Sequence, residues 1–174
     1  MKKRVLILFG TICFVSVILF LFFNLNGKRK DINELVAKYS TEYGLEEELV
    51  LAVIKAESDF KKDAVSRSGA LGLMQLIPDT AKWIASELGE EYSKEKMFNE
   101  ETNIKYGCFY LKYLFSKFKD KDVVICAYNA GEGVVRNWIN EDGSLDRSKI
   151  SFDETKKYLE RVNVFFDSYK SNIL

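Results

Sequence analysis

Glu57 is the residue whose placement asks for chemistry. Leu49, Val50, Val53 and Ile54 form an apolar stripe at helical spacing, and continuing seven residues from Val50 reaches Glu57. A carboxylate aimed at the core side of a helix end is disfavoured in its charged form. Its pKa rises, and it keeps a proton near neutral pH. Such a group can act as a general acid and, once ionised, as a general base. Ile54 would lie behind it, with Leu73 or Met74 as neighbours, and a tyrosine hydroxyl could fix which carboxyl oxygen carries the proton. Tyr128 is the candidate, because its helix ends at Gly131 and leaves the last turn beside an open groove. The alternative for Glu57 is an ion pair at a helix end, with Lys61 or Lys62 as partner.

The chain contains no histidine, which removes Ser-His-Asp and Cys-His nucleophilic sites and histidine-containing zinc sites. No metal-ligand spacing is present, and no cofactor is expected. With 26 basic and 26 acidic residues the formal charge is zero, which gives no reason to expect nucleic acid as a partner. Cys108 and Cys126 lie at small-residue positions of predicted helices. They could pair outside the cell, but their packing positions favour two buried thiols.

The elements that must position Glu57 read as mostly helical. Leu35, Val36, Tyr39 and Tyr43 keep helical spacing until Gly44. A second helix starts near Glu46, where three glutamates suit a helix N-terminus. Ala64 to Gly72 has no helical period and reads as a loop or short hairpin. Pro78 opens a third helix, and Asn99 caps a fourth whose inward stripe is Ile104, Gly107, Cys108, Leu111 and Leu114. Val123 to Tyr128 forms a short helix, and a last one runs from about Phe152 to Tyr169. Few runs alternate as strands do. The expectation is a mainly α domain with a small sheet or none, following an N-terminal transmembrane helix.

Four blocks stand out: Glu57-Ser58; Ser66-x-x-Gly69-Ala70-x-Gly72-Leu73-Met74-Gln75-Leu76-x-Pro78; Asn103-Ile104-x-x-Gly107-x-x-Tyr110-Leu111; and Ala127-Tyr128-Asn129-Ala130-Gly131. A fifth is Glu154-Thr155-x-x-Tyr158-x-x-Arg161-Val162. In this order they resemble the signature blocks of the soluble lytic transglycosylase (SLT) family, whose catalytic domain has a goose-type lysozyme-like fold. The resemblance covers residues 31–170 and implies an α+β lysozyme-like domain that cleaves peptidoglycan glycan strands. It implies that Glu57 is the catalytic acid and base. Ser66, Gln75, Tyr128, Asn129 and Tyr158 are then expected at the substrate. Each has a plainer reading: turn chemistry for Ser66, a core-edge amide for Gln75, helix capping for Asn129, packing for Tyr158. Ile77 stands where relatives often have methionine.

The resemblance also implies a mechanism needing one carboxylate. Glu57 would protonate the oxygen between N-acetylmuramic acid and N-acetylglucosamine, then take the proton from the muramoyl C6 hydroxyl as it closes onto C1. The rivals are a muramidase that uses water on the same bond, and a catalytically silent peptidoglycan-binding scaffold. For a second carboxylate, Asp59 would point away from Glu57 on a continuing helix, and Asp63, Glu132 and Glu154 have no place from sequence alone.

The N-terminus reads as an anchor. Lys2, Lys3 and Arg4 precede an uncharged run from Val5 to Phe23 that extends to Leu25 across Asn24. At helical rise, 19 residues span roughly 28 Å, the thickness of a bilayer core. No small residues sit at signal-peptidase offsets, so residues 1–27 are expected to remain as a signal anchor, crossing the membrane through residues 5–25. Residues 28–174 then form the catalytic domain. Basic residues flank both ends of the run, so charge nearly ties on orientation. The substrate's location places the domain outside the cell membrane in a single-pass arrangement. A short anchor without a separate binding domain suggests a cell-envelope protein that localises it.

Overall fold

The structure is a computed structural model that describes residues 31–171. From residue 35 onward the described residues belong to one compact unit. Among the described residues the architecture is helical with no named strand. Residues 31–43 are helical (α1), followed by α2 (Glu47–Ser58), α3 (Pro78–Glu87), α4 (Glu100–Lys117), α5 (Lys121–Ala130), α6 (Glu132–Val135) and α7 (Asp153–Lys170). The small sheet allowed from sequence reduces to isolated bridges: Val65 with Leu71, Leu71 with Leu76, and Ile139 with Leu145. The proposed membrane segment, residues 5–25, lies outside the described residues. No helix within them is long and apolar enough to cross a membrane.

The helix ends follow local chemistry. α2 carries Glu47 and Glu48 in its first turn and buries Leu49, Val50, Val53 and Ile54. It stops at Ser58 because Asp59 and Phe60 take left-handed backbone, φ 53° and 62°. Asp59 therefore does not continue the helix, and it forms an ion pair with Lys55. Pro78 occupies the first turn of α3. The Asn99 side chain accepts from Thr102 N–H at 2.9 Å to start α4, and Asp120 does the same for Val123 at 3.0 Å on α5.

The broadest helix–helix contact joins α2 to α7, and α5 packs on α7, α4 and α6. The helix that carries Glu57 in its last turn thus lies against the last helix of the chain. Leu71, Leu76, Ala81, Ile84, Met97 and Tyr106 form a core cluster between the 64–76 loop, α3 and α4. Cys108 and Cys126 are free, buried thiols. Burial pushes the Cys126 thiol up to about 12, which keeps it protonated and unreactive.

Candidate active site

The 64–76 loop is the structural centre of the site, and three helices hold it. Ser58 Oγ, at the end of α2, donates to Leu73 O at 2.8 Å. Asn103, fully buried on α4, accepts from Met74 N–H at 2.7 Å and donates to Leu71 O and Met97 O at 3.0 and 2.9 Å. Tyr128 Oη, on α5, donates to Met74 O at 2.8 Å. Gln75 donates its amide to Gly72 O at 2.7 Å and Ala64 O at 3.1 Å, closing the loop on itself. Nearly every main-chain polar group from Leu71 to Met74 thereby finds a partner in a region where an unpaired one would be costly.

Two glycines make the close approach work. A Cβ on Gly72 would stand 2.3 Å from both Asn103 Nδ2 and Met97 O, and its φ of 77° already disfavours any side chain. A Cβ on Gly107 would meet Met74 Sδ at 2.1 Å. The motif residues Ser58, Gly72, Asn103, Gly107 and Tyr128 are therefore parts of one clamp that folds Leu73 and Met74 into the core.

The clamp leaves an open recess of about 320 Å³ lined by Glu57, Ser66, Gln75, Tyr110, Tyr128, Asn129 and Glu154, among others. Glu57 keeps access to solvent in this recess and has no ion-pair partner among the described residues. Of the two lysines considered for it, Lys62 meets Glu100 at 3.5 Å, and the ion pair at this helix end is Lys55 with Asp59. Burial raises the Glu57 pKa from 4.5 to about 7, opposed by the Tyr158 hydroxyl and Arg161 and reinforced by the Glu154 charge. The carboxyl therefore exchanges its proton in the neutral range, as a group that gives and then takes a proton requires.

Two tyrosines frame it. Tyr158 is buried on α7 and stands behind Glu57 rather than on the recess wall. Its hydroxyl has no closed hydrogen bond among the described residues, yet it faces Glu57 closely enough to pull the carboxyl's pKa down. Tyr128 commits its own proton to Met74 O, so toward Glu57 it offers only acceptor lone pairs. Its pKa is pushed well up by burial first and by Glu57 second. The Tyr128 hydroxyl can therefore receive the Glu57 proton as a hydrogen bond, and Tyr158 is the one free to donate.

The remaining expected residues line the recess with part of their polarity already used. Ser66 Oγ accepts from Ala70 N–H at 3.0 Å and shares a hydrogen bond with Ser68 at 2.9 Å, which is turn chemistry at the rim. Gln75 spends its amide N–H groups inside the loop, which turns its carbonyl oxygen into the available group. Asn129 accepts from Thr155 Oγ1 at 2.8 Å and so ties α5 to the start of α7. Glu154, one residue before Thr155, is brought to the recess by that tie. Glu154 and Tyr110 were legible only as members of their blocks. Thr80 carried no signal beyond lying one turn into the proline-led helix.

Comparisons with known proteins bear on the family and the fold. Residues 34–151 match the transglycosylase SLT domain family, and the chain belongs to that family. It is 32% identical over 145 residues to the soluble lytic murein transglycosylase of Escherichia coli K12, covering 79% of this chain and 22% of the relative. It is 38% identical over 163 residues to the membrane-bound lytic murein transglycosylase C of Yersinia pestis, covering 78% and 46%. The structure of an inactive mutant of the lytic transglycosylase Slt from Pseudomonas aeruginosa superposes with a TM-score of 0.74 at 32% identity, over 80% of this chain and 24% of that one. The chain thus spans about a fifth to a half of the length of these relatives and adopts the SLT fold.

Proposed function

We propose that this protein is a membrane-anchored peptidoglycan lytic transglycosylase. It cleaves the β-1,4 bond between N-acetylmuramic acid and N-acetylglucosamine and leaves a 1,6-anhydro-muramoyl end. The observation that carries this reading is Glu57, a carboxyl held near neutral pKa by burial, with no ion pair among the described residues, in an open recess. Family membership and relatives named as lytic murein transglycosylases support the same assignment.

In the first step neutral Glu57 gives its proton to the glycosidic oxygen, the C1–O4 bond breaks, and N-acetylglucosamine leaves with a restored 4-hydroxyl. In the second, the Glu57 carboxylate takes the proton of the muramoyl C6 hydroxyl while O6 bonds to C1. Glu57 ends protonated, ready for another cycle, and no water is consumed. The substrate's acetamide supports the positive charge at C1 that a second protein carboxylate supports in other glycosidases. Tyr158 donates to Glu57 when it is ionised, Tyr128 accepts from it when protonated, and Gln75, Ser66 and Asn129 meet the sugar's polar groups. Residues 1–27 anchor the enzyme, and residues 28–174 work on the outer face of the membrane, where an envelope partner localises them.

Glu154 favours a second reading, since a carboxylate on the recess wall could hold a water for hydrolysis. The test is mass spectrometry of muropeptides released from purified peptidoglycan by the full chain in detergent. Products lighter by one water than reducing-end muropeptides, lost with Glu57→Gln and kept with Glu154→Gln, support the lytic reaction. Ordinary reducing ends lost with either variant would replace it with hydrolysis.

A further inference from the structure

A second cavity, of about 530 Å³, opens where the end of α4, the turn into α5, Arg136 after α6 and the 139–149 segment meet. It shares no lining residue with the recess, and its volume is that of a small-molecule site. Three cations line it, Lys117, Lys119 and Arg136, together with two carboxylates, Asp120 and Asp142.

Near this cavity opposite charges close on each other wherever they can. Arg147 meets Asp122 at 2.6 Å, and Lys149 meets Asp146 at 3.2 Å. Inside the cavity they do not: among the described residues Lys117, Lys119 and Arg136 form no ion pair. Two of them rest on rings instead. The Arg136 guanidinium lies 5.2 Å from the centre of the buried Phe118 ring, and Lys117 Nζ lies 5.2 Å from that of Tyr113. A cation held on a ring is oriented without being neutralised, so its N–H donors remain for another group. The carboxylates are half used. Asp120 accepts from Val123 N–H, and Asp142 accepts from Ser144 N–H and Oγ, in each case through Oδ1. A carboxylate has about four acceptor positions, so each retains capacity on Oδ2. Cations and acceptors thus face one space without meeting. A bare phosphate would be repelled by the two carboxylates, and an uncharged polyol would leave the three cations without a counter-charge.

We propose that this cavity binds a polyol phosphodiester, such as a glycerol phosphate chain or the glycerol phosphate headgroup of a lipid. Arg136, Lys117 and Lys119 hold the phosphate oxygens, and Asp120 and Asp142 accept from the polyol hydroxyls. The site stands independently of the reading of the recess.

The test is calorimetric titration of the full chain, in uncharged detergent, with a hexamer of glycerol phosphate. Arg136→Gln and Lys119→Gln should each weaken binding about tenfold, the scale of one charge-assisted contact. Lys157→Gln, an equal loss of charge on α7 outside the cavity, should leave it unchanged. Asp142→Asn keeps the Oδ1 bonds to Ser144 but replaces the other acceptor with a donor, and it should weaken binding severalfold. A cationic patch without a polyol site would instead bind more tightly in Asp142→Asn and would take dextran sulfate equally well, and either result overturns the proposal. So would no binding of the hexamer, or a loss in Lys157→Gln equal to that in Arg136→Gln. Phosphatidylglycerol added to the micelles separates the two sources. Competition with the hexamer, where phosphatidylcholine gives none, assigns the lipid headgroup, and hexamer binding without competition assigns the free chain.

Discussion

Two irregular segments of this domain solve the same problem in opposite ways. Residues 64–76 and 139–149 both leave helical backbone, and each holds isolated β-bridges. The second satisfies itself locally: Asp142 accepts from Ser144 N–H and Oγ, Asp146 accepts from Ser148 N–H and Oγ, and most of the segment is exposed. The first sends its main chain into the core and is held by Ser58, Asn103 and Tyr128 from three helices. A loop that needs only to connect can be closed by its neighbours in sequence. A loop that must wall a desolvated carboxyl has to be fixed from far away, because local bonds leave the whole segment free to move as a unit.

The comparison predicts an ordered set of losses. Glu57→Gln should lower the rate of muropeptide release by about a thousandfold, the scale of a lost general acid, with the fold intact by circular dichroism. Gly72→Ala should be the most damaging change to the fold, since a Cβ would collide with Asn103 and Met97 on backbone that already excludes side chains. A loss of stability below about 2 kcal/mol in denaturant unfolding would mean that the clamp yields more easily than its geometry suggests. Asn103→Ala leaves Met74 N–H, Leu71 O and Met97 O unpaired and should cost about 3 kcal/mol by the same measurement. Tyr128→Phe removes one bond to Met74 O and should cost about 1 kcal/mol while slowing turnover. At the other loop, Asp142→Ala should shift stability by no more than about 0.5 kcal/mol and leave muropeptide release untouched. Equal effects at Asp142 and Asn103 would erase the distinction between the two segments.

The recess also sets a pH signature. Glu57 must be protonated to act as the acid, so kcat/KM should be level below about pH 7 and fall about tenfold per unit above it. Tyr158→Phe removes a group that lowers the Glu57 pKa, so the alkaline limb should move to higher pH. The sign for stability follows from the same shift. The folded carboxyl is harder to ionise than the unfolded one at 4.5, so the folded state binds more protons between 4.5 and about 7, and stability declines as pH rises through that window. Glu57→Gln should flatten that decline in thermal melts taken across the window.

How much of this was legible in sequence depends on the range of the interaction. The starts of α2, α3 and α4 followed from the glutamates at 46–48, Pro78 and Asn99, and the end of α5 from Gly131, because capping and φ preferences act within one turn; the stop of α2 at Ser58 and the Asp120 cap of α5 did not. Glu57 could be singled out because a carboxylate breaks an apolar period, and periodicity is a property of the chain. The clamp was visible only as spacing. Asn103 is separated by 29 residues from Met74, and Tyr128 by 54, and no local rule joins them. How the two tyrosine hydroxyls divide their roles was likewise beyond the sequence: the fold gives the Tyr128 proton to Met74 O, which leaves that hydroxyl an acceptor, and brings Tyr158 to the carboxyl as well.

The sequence by itself determined a helical domain, several of its helix ends and the one carboxylate out of place, since those depend on short-range sterics and burial period. Only the tertiary structure decided that Glu57 makes no ion pair among the described residues, that Glu154 reaches its recess, and that Ser58, Asn103 and Tyr128 act on one loop. Those outcomes depend on which distant groups compete for each donor and acceptor once water is removed, and that competition exists only in the packed chain.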